Sequence, residues 1–459
     1  MLKRSLLIIL FGLSFMLSAC AQEQEGTHEF MLDNGLKLIV RQDHRAPVVV
    51  SQVWYKIGGS YEHMGITGVS HILEHMMFKG TKKHGPGEFS KIISANGGRE
   101  NAFTGEDYTA YFQHLAKDRL PISFELEADR MRNLLLTEDE FVKENKVVME
   151  ERRLRTEDKP KSLTYERFSA LAYQTSPYRN PVIGWMNDLE NMKVTDLQHW
   201  YENWYAPNNA TVVVTGDVEP EKVFALAKKY FGGLKRVDTA KVAPQVEIEQ
   251  KGEQRSVVRV PAELSYLIMG FKVPSLETSK EKWEPYALEM LTGILDGGAS
   301  ARFARDMVRG SQIAASAGAS YDLYARLGTL MIFDATPSKG HDVAEMEQAI
   351  LAQIKQLKEA PVDASELRRV KAQVVASNVY QRDSVFYQGM QIGMLETVGL
   401  GWATMDDYVD RIKAVTAEQV MQVAKKYLVR DHMTVTTLDP LPMDANTPKK
   451  AFSGGHHGH

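Results

Sequence analysis

Two histidines four residues apart, with a glutamate between them, are where this sequence could do chemistry: His71, Glu74 and His75 in the stretch HILEH. On a helix that spacing stacks the imidazoles one above the other, close enough for both to reach a single zinc ion. Glu74 shares the face and need not be a ligand, since it can point at water held on the metal. In the surrounding GITGVSHILEHMMFKGT, the apolar Val69, Ile72, Leu73 and Met76 occupy one face. His71, Glu74, His75 and Phe78 occupy roughly the opposite face, so burial explains the first set and leaves the second free for another use. Thr67 is placed to cap this helix and Gly80 to end it. Two imidazoles still lack the third protein ligand of a catalytic zinc. The best place to look is TEDEFVKENKVVMEERRLRTED, residues 137–158, where Thr137 and Glu140 form an S/T-x-x-E capping box. Glu144 and Glu151 lie two turns apart on nearly one face there, although these glutamates equally describe a charged, solvated helix.

Both helices need a scaffold. In HEFMLDNGLKLIVRQD, Asp33-Asn34-Gly35 separates two alternating segments and signals a hairpin. VVVSQVWYKIG reads as a further strand, and helices then alternate with short strands up to NATVVVTGDV. PEKVFALAKKYFGGL is a helix opened by Pro220 and closed by Gly232-Gly233. Residues 234–254 are polar, lack a helical period and read as a linker. The pattern then recurs with strands SVVRVPA and LSYLIMGFKVP and the helix KEKWEPYALEMLTGILDGG. Late in the chain, AEQVMQVAKKYLVRDHMTVTTLDP mirrors TDLQHWYENWYAPNNATVVVTGDVEP. The expected fold is α+β, in two homologous halves (28–233 and 255–443), each a mostly antiparallel sheet packed with helices.

Composition sets outer limits. The 459-residue chain calls for several domains, and its net charge of -4 offers no basic field for nucleic acid. At the N-terminus, Lys3 and Arg4 precede the apolar run SLLIILFGLSFML, which is too short to span a bilayer and reads as an export signal over residues 1–19. The only cysteine in the sequence, Cys20, follows Leu17-Ser18-Ala19, a stretch that resembles a bacterial lipobox. That resemblance implies a lipidated Cys20, a membrane anchor through lipid alone and a polar tether over residues 20–27. Ala21 in the next position points towards the outer membrane, facing the periplasm; without lipidation the product is a soluble periplasmic protein. The tail AFSGGHHGH, within residues 444–459, reads as solvated.

HILEH followed by ENKVVMEE resembles the inverted zincins, the family of pitrilysin, insulin-degrading enzyme and mitochondrial processing peptidase. Glu144, Val147, Val148, Met149 and Glu151 match its E-x-x-x-V-hydrophobic-hydrophobic-x-E pattern, and Glu151 stands 76 residues beyond His75. The match makes Glu151, rather than neighbouring Glu150, the third ligand beside His71 and His75. It makes Glu144 a supporting acid of the site and Glu74 the general base. One zinc ion per chain and a peptide substrate are implied. NAFTGEDYTAYF is similar to the family's edge strand, which receives extended peptide by β-addition, so Asn101 and Ala102 are candidate substrate contacts. The resemblance spans essentially residues 28–440 and implies a roll of the processing-peptidase kind with zinc on the first half.

One part departs from the family. Single-chain relatives carry an arginine and a tyrosine that stabilise the oxyanion, in a stretch similar to SARFARDMVRGSQIAASA. Arg302 fits the first arginine of that pattern, but the catalytic arginine position falls on Val308 and the tyrosine position on Ala315. Arg309, Tyr321 and Tyr324 are out of register. The resemblance therefore implies a heterodimer, in which a homologous partner subunit supplies the pair. The competing expectation is a non-catalytic assembly or peptide-binding subunit of the same fold.

Overall fold

Runs of β-branched and aromatic residues become two sheets in this computed structural model, which describes residues 26–239, 242, 243 and 245–443. The expected export signal, Cys20, the tether up to residue 25 and the tail from 444 lie outside the described residues. The first sheet comprises β1 (Thr27–Met31), β2 (Lys37–Gln42), β3 (Val48–Tyr55), β4 (Arg99–Thr104), β5 (Thr109–Ala116) and β6 (Ala210–Gly216). The second comprises β7 (Gln254–Pro261), β8 (Tyr266–Val273), β9 (Ala314–Tyr321), β10 (Thr329–Pro337) and β11 (Met433–Leu441).

The spatial orders are β1-β2-β6-β3-β5-β4 and β7-β11-β8-β10-β9. Without β1 the two are the same permutation of the chain. Each also has a single parallel pair, β2 with β6 and β7 with β11, in an otherwise antiparallel sheet. The α+β fold of two homologous halves is thus present in the topology. The Asp33–Gly35 turn joins β1 to β2, with Gly35 at φ +87°. β6, with sequence ATVVVTG, is buried along its whole length, as a central strand covered on both faces must be.

What covers those faces crosses between the halves. Helix Pro160–Ala172 lies on β7, β8 and β11 of the second sheet, and helix Val385–Val398 lies on β3 and β6 of the first. Both contacts depend on a glycine. A Cβ at Gly270 would sit 2.5 Å from the Phe168 ring, and one at Gly393 would sit 2.1 Å from the Trp54 indole. Ile392, Leu395 and Met405 complete one buried cluster with Ile39, Trp54 and Val213, so the two cores are tied by exchanged helices. Arg326 adds a polar tie, donating to Asp107 at 3.0 Å and Ser60 at 2.7 Å. Among the described residues after 234 there is no helix or strand until β7, yet Glu247 fixes this stretch by accepting from the amides of Gln174 at 2.9 Å and Ser176 at 2.7 Å. No helix among the described residues is long and apolar enough to cross a membrane.

Candidate metal centre

Helix Val69–Met76 buries Val69, Ile72, Leu73 and Met76 completely, while His71, Glu74 and His75 stay half-buried on the other side. Its start differs from the sequence expectation. Gly68, at φ +90°, is the N-cap, and the carboxylate of buried Glu62 accepts from the amides of Gly68 at 2.7 Å and Ser70 at 2.8 Å. Thr67 donates its hydroxyl to Asp188 at 2.5 Å, because a carboxylate from outside the helix already serves the free amides. The approach at Gly68 is tight: a Cβ there would meet Ile183 O at 2.7 Å. The helix that carries the histidines is therefore clamped at its N-terminal end.

The second helix runs Glu138–Arg152. Thr137 caps it by accepting from the Glu140 amide at 3.4 Å, but the reciprocal half of the expected box is missing, since Glu140 pairs with Lys143 at 2.7 Å. Two turns beyond Glu144 on this helix, Glu151 Oε2 lies 3.8 Å from His71 Nε2 and 3.6 Å from His75 Nε2. Ligand atoms of these three residues all fall within 4.8 Å of one another, which is the only such His/Cys/Asp/Glu cluster among the described residues. Two imidazoles and a carboxylate form a donor set that suits zinc and leaves a position for water.

The electrostatics favour metal over protons. Burial, with the neighbouring His75 and Arg155, pushes the His71 imidazole down to about 3, so it is neutral and its lone pair is available. Glu144 approaches His75 Nδ1 at 3.4 Å and accepts from Lys79 at 2.8 Å. Burial opposes ionisation of Glu144, but these two partners outweigh it and hold the carboxyl below its usual range. That contact turns His75 Nε2 towards Glu151. Burial raises the Glu74 carboxyl, and the hydroxyl of Thr104, donated at 2.5 Å, partly counters it. Arg155 closes the group by pairing with Glu151 Oε1 at 2.6 Å.

Asn101 and Ala102 stand on β4, the outer strand of the first sheet. Asn101 is exposed, and its side-chain oxygen accepts from the Ala102 amide at 2.8 Å. In the second half, Arg302 is committed to Glu366 at 2.7 Å and the Tyr321 hydroxyl donates to Pro274 O at 2.6 Å. Val308 is half-buried, and Ala315 lies exposed on β9. Residues that the sequence did not single out are Glu62 and Asp188, which set the first helix, and Thr104, Lys79 and Arg155, which touch its acids. Of these, Thr104 carried a signal as the T of the quoted NAFTGEDY, and Lys79 as the K of the quoted HMMFKGT.

Residues 37–185 match the family description "Insulinase (Peptidase family M16)", and residues 191–374 match "Peptidase M16 inactive domain". The zinc protease PqqE of Helicobacter pylori is 32% identical over 444 residues, covering 95% of this chain and 97% of that protein. The crystal structure of a protease from Helicobacter pylori superposes with a TM-score of 0.86 at 31% identity, over 91% of this chain and 100% of that one. The periplasmic protease PqqL from Escherichia coli shares the fold, with a TM-score of 0.77 at 16% identity, over 92% of this chain and 49% of that one.

Proposed function

Because this chain belongs to the insulinase (M16) peptidase family, we propose that it is a zinc-dependent endopeptidase subunit acting on unfolded or short peptides. The observation that carries this reading is the convergence of His71, His75 and Glu151, with Glu74 beside them on the same helix face. His71 and His75 through Nε2, together with the Glu151 carboxylate, would hold one zinc ion per chain. When bound, the ion supplies Lewis acidity and lowers the pKa of water towards about 7.

The chain's own groups then divide the work. Glu74 Oε2 is held by Thr104, which leaves Oε1 to take the proton of the attacking water and return it to the leaving amine. Glu144 orients His75. The outer edge of β4 at Asn101 and Ala102 receives the peptide backbone as an added strand. No arginine and tyrosine stand in register on the second half, so a homologous partner subunit supplies the oxyanion donors as a heterodimer. That this fold fills 49% of the PqqL chain is in keeping with a second unit completing a clamshell. Export and lipidation at Cys20 would place the subunit on the outer membrane facing the periplasm; an unlipidated form would be soluble there.

A second reading, a non-catalytic peptide-binding subunit, draws on the Arg155 ion pair that engages Glu151 and on the description matched by residues 191–374. The test is hydrolysis of a quenched fluorescent peptide with and without the partner co-purified from native membranes. Turnover that needs both the partner and Glu74 supports the enzyme. Turnover surviving Glu74→Gln excludes it, and full activity of the chain alone excludes the partner.

A further inference from the structure

Away from the metal centre, a cleft of about 300 Å³ opens between helices Glu284–Asp296, Ala364–Arg382 and Val385–Val398 and the turn from β9 to β10. Its floor holds Asn378 and Gln391, 6% and 8% exposed, and the carboxamide oxygen of each is buried without a hydrogen-bond partner. Buried amide oxygens without donors are costly, and two lining one cleft call for a ligand rich in N–H groups. Two carboxylates border the same space. Glu289 lies 3.5 Å from the Tyr408 hydroxyl that donates to it, and Asp322 stands exposed at the mouth. Burial, reinforced by Asp322, pushes the Glu289 carboxyl up to about 7. None of the side chains lining the cleft is basic.

This chemistry excludes anions. It also disfavours a metal ion, because no group of three His, Cys, Asp or Glu ligands gathers here among the described residues. A primary ammonium fits better: it presents three donors to amide and carboxylate oxygens, carries the charge the acids need, and is attracted to tyrosine faces such as those of Tyr321 and Tyr324. We propose that this cleft is a second binding site that takes the primary ammonium of a polyamine or of a peptide lysine, received by Asn378, Gln391 and Glu289. Tyr321, Asp322 and Tyr324 also line the larger cavity of about 770 Å³ between the halves, so an occupant of the cleft shares a wall with that space.

Calorimetric titration of the full chain at pH 8 tests the site, using 1,4-diaminobutane, a short lysine peptide and its norleucine analogue. Saturable 1:1 binding of the diamine alone identifies a free amine as ligand; binding of the lysine peptide but not the norleucine peptide identifies a peptide-borne one. In either case Glu289→Gln and Asn378→Leu should each weaken binding about tenfold or more. His71→Ala should leave it unchanged, which separates the cleft from the metal centre. Gln391→Met guards against a variant that fails to fold, and it should weaken binding similarly. No saturable binding of diamine or lysine peptide by wild type at about 10 mM, or equal affinity in folded Glu289→Gln and Gln391→Met, overturns the proposal.

Discussion

Thr104 donates its hydroxyl to Glu74 at 2.5 Å, joining the outer strand of the first sheet to the helix that carries both histidines. The strand proposed to receive substrate thus also holds the proposed base. Thr104→Val removes one bond to a charged group, worth about 1.5–3 kcal/mol, so turnover should drop roughly ten- to a hundredfold. Metal content should not change. A variant that loses zinc instead shows Thr104 to be a structural support of the ligands.

Glu144 reaches the proposed metal centre through His75 Nδ1, at 3.4 Å. Glu144→Gln should weaken zinc affinity about 10- to 100-fold while leaving the stoichiometry at saturation intact. Competition against a fluorescent chelator measures this directly. An unaltered affinity would mean that the packing of the helix already fixes the His75 ring.

The exchanged helices make the joint between the halves a packed core. Gly393→Leu forces a side chain into the Trp54 indole and should cost about 1–3 kcal/mol in urea unfolding. Gly233→Ala, where no atom lies within 4 Å, should stay within about 0.5 kcal/mol of wild type. Equal stability of the two variants would contradict the tight contact of helix Val385–Val398 with the first sheet.

Glu289 predicts a pH dependence with a definite sign. Its carboxyl is pushed up to about 7, against an ordinary value of 4.5, by burial and the nearby Asp322, which outweigh the opposing hydrogen bond from Tyr408. A raised folded pKa contributes stability that is fully present below about 4.5 and is lost as pH rises through about 7. Glu289→Gln has no charge to bury, so it should unfold later than wild type at pH 8, by up to about 3 kcal/mol, and match it at about pH 4. A greater advantage at the acid end would reverse the assignment.

Much of this was legible in the residues themselves. The two faces of HILEH separated core from chemistry, and the recurring strand and helix pattern announced two halves. Matching a family pattern then selected Glu151 over Glu150. The sequence did not disclose interactions that close only in three dimensions. Thr67 has the composition of a cap, but Glu62 takes that role from outside the helix. Glu140 could complete a capping box, but Lys143 one turn away competes for its carboxylate. Helix Pro160–Ala172 precedes the linker yet packs on the second sheet, because Phe168 finds its space against Gly270, about a hundred residues later. Apolar periodicity says that a face is buried and is silent on what buries it.

The most direct test of the metal centre is native mass spectrometry of the full chain after zinc loading and dialysis, beside His71→Ala, Glu151→Ala and Glu74→Gln. Wild type and Glu74→Gln should each hold one zinc, and the two ligand variants none. A wild type without zinc, or His71→Ala and Glu151→Ala that retain it fully, would contradict the metal centre on which the proposed function stands.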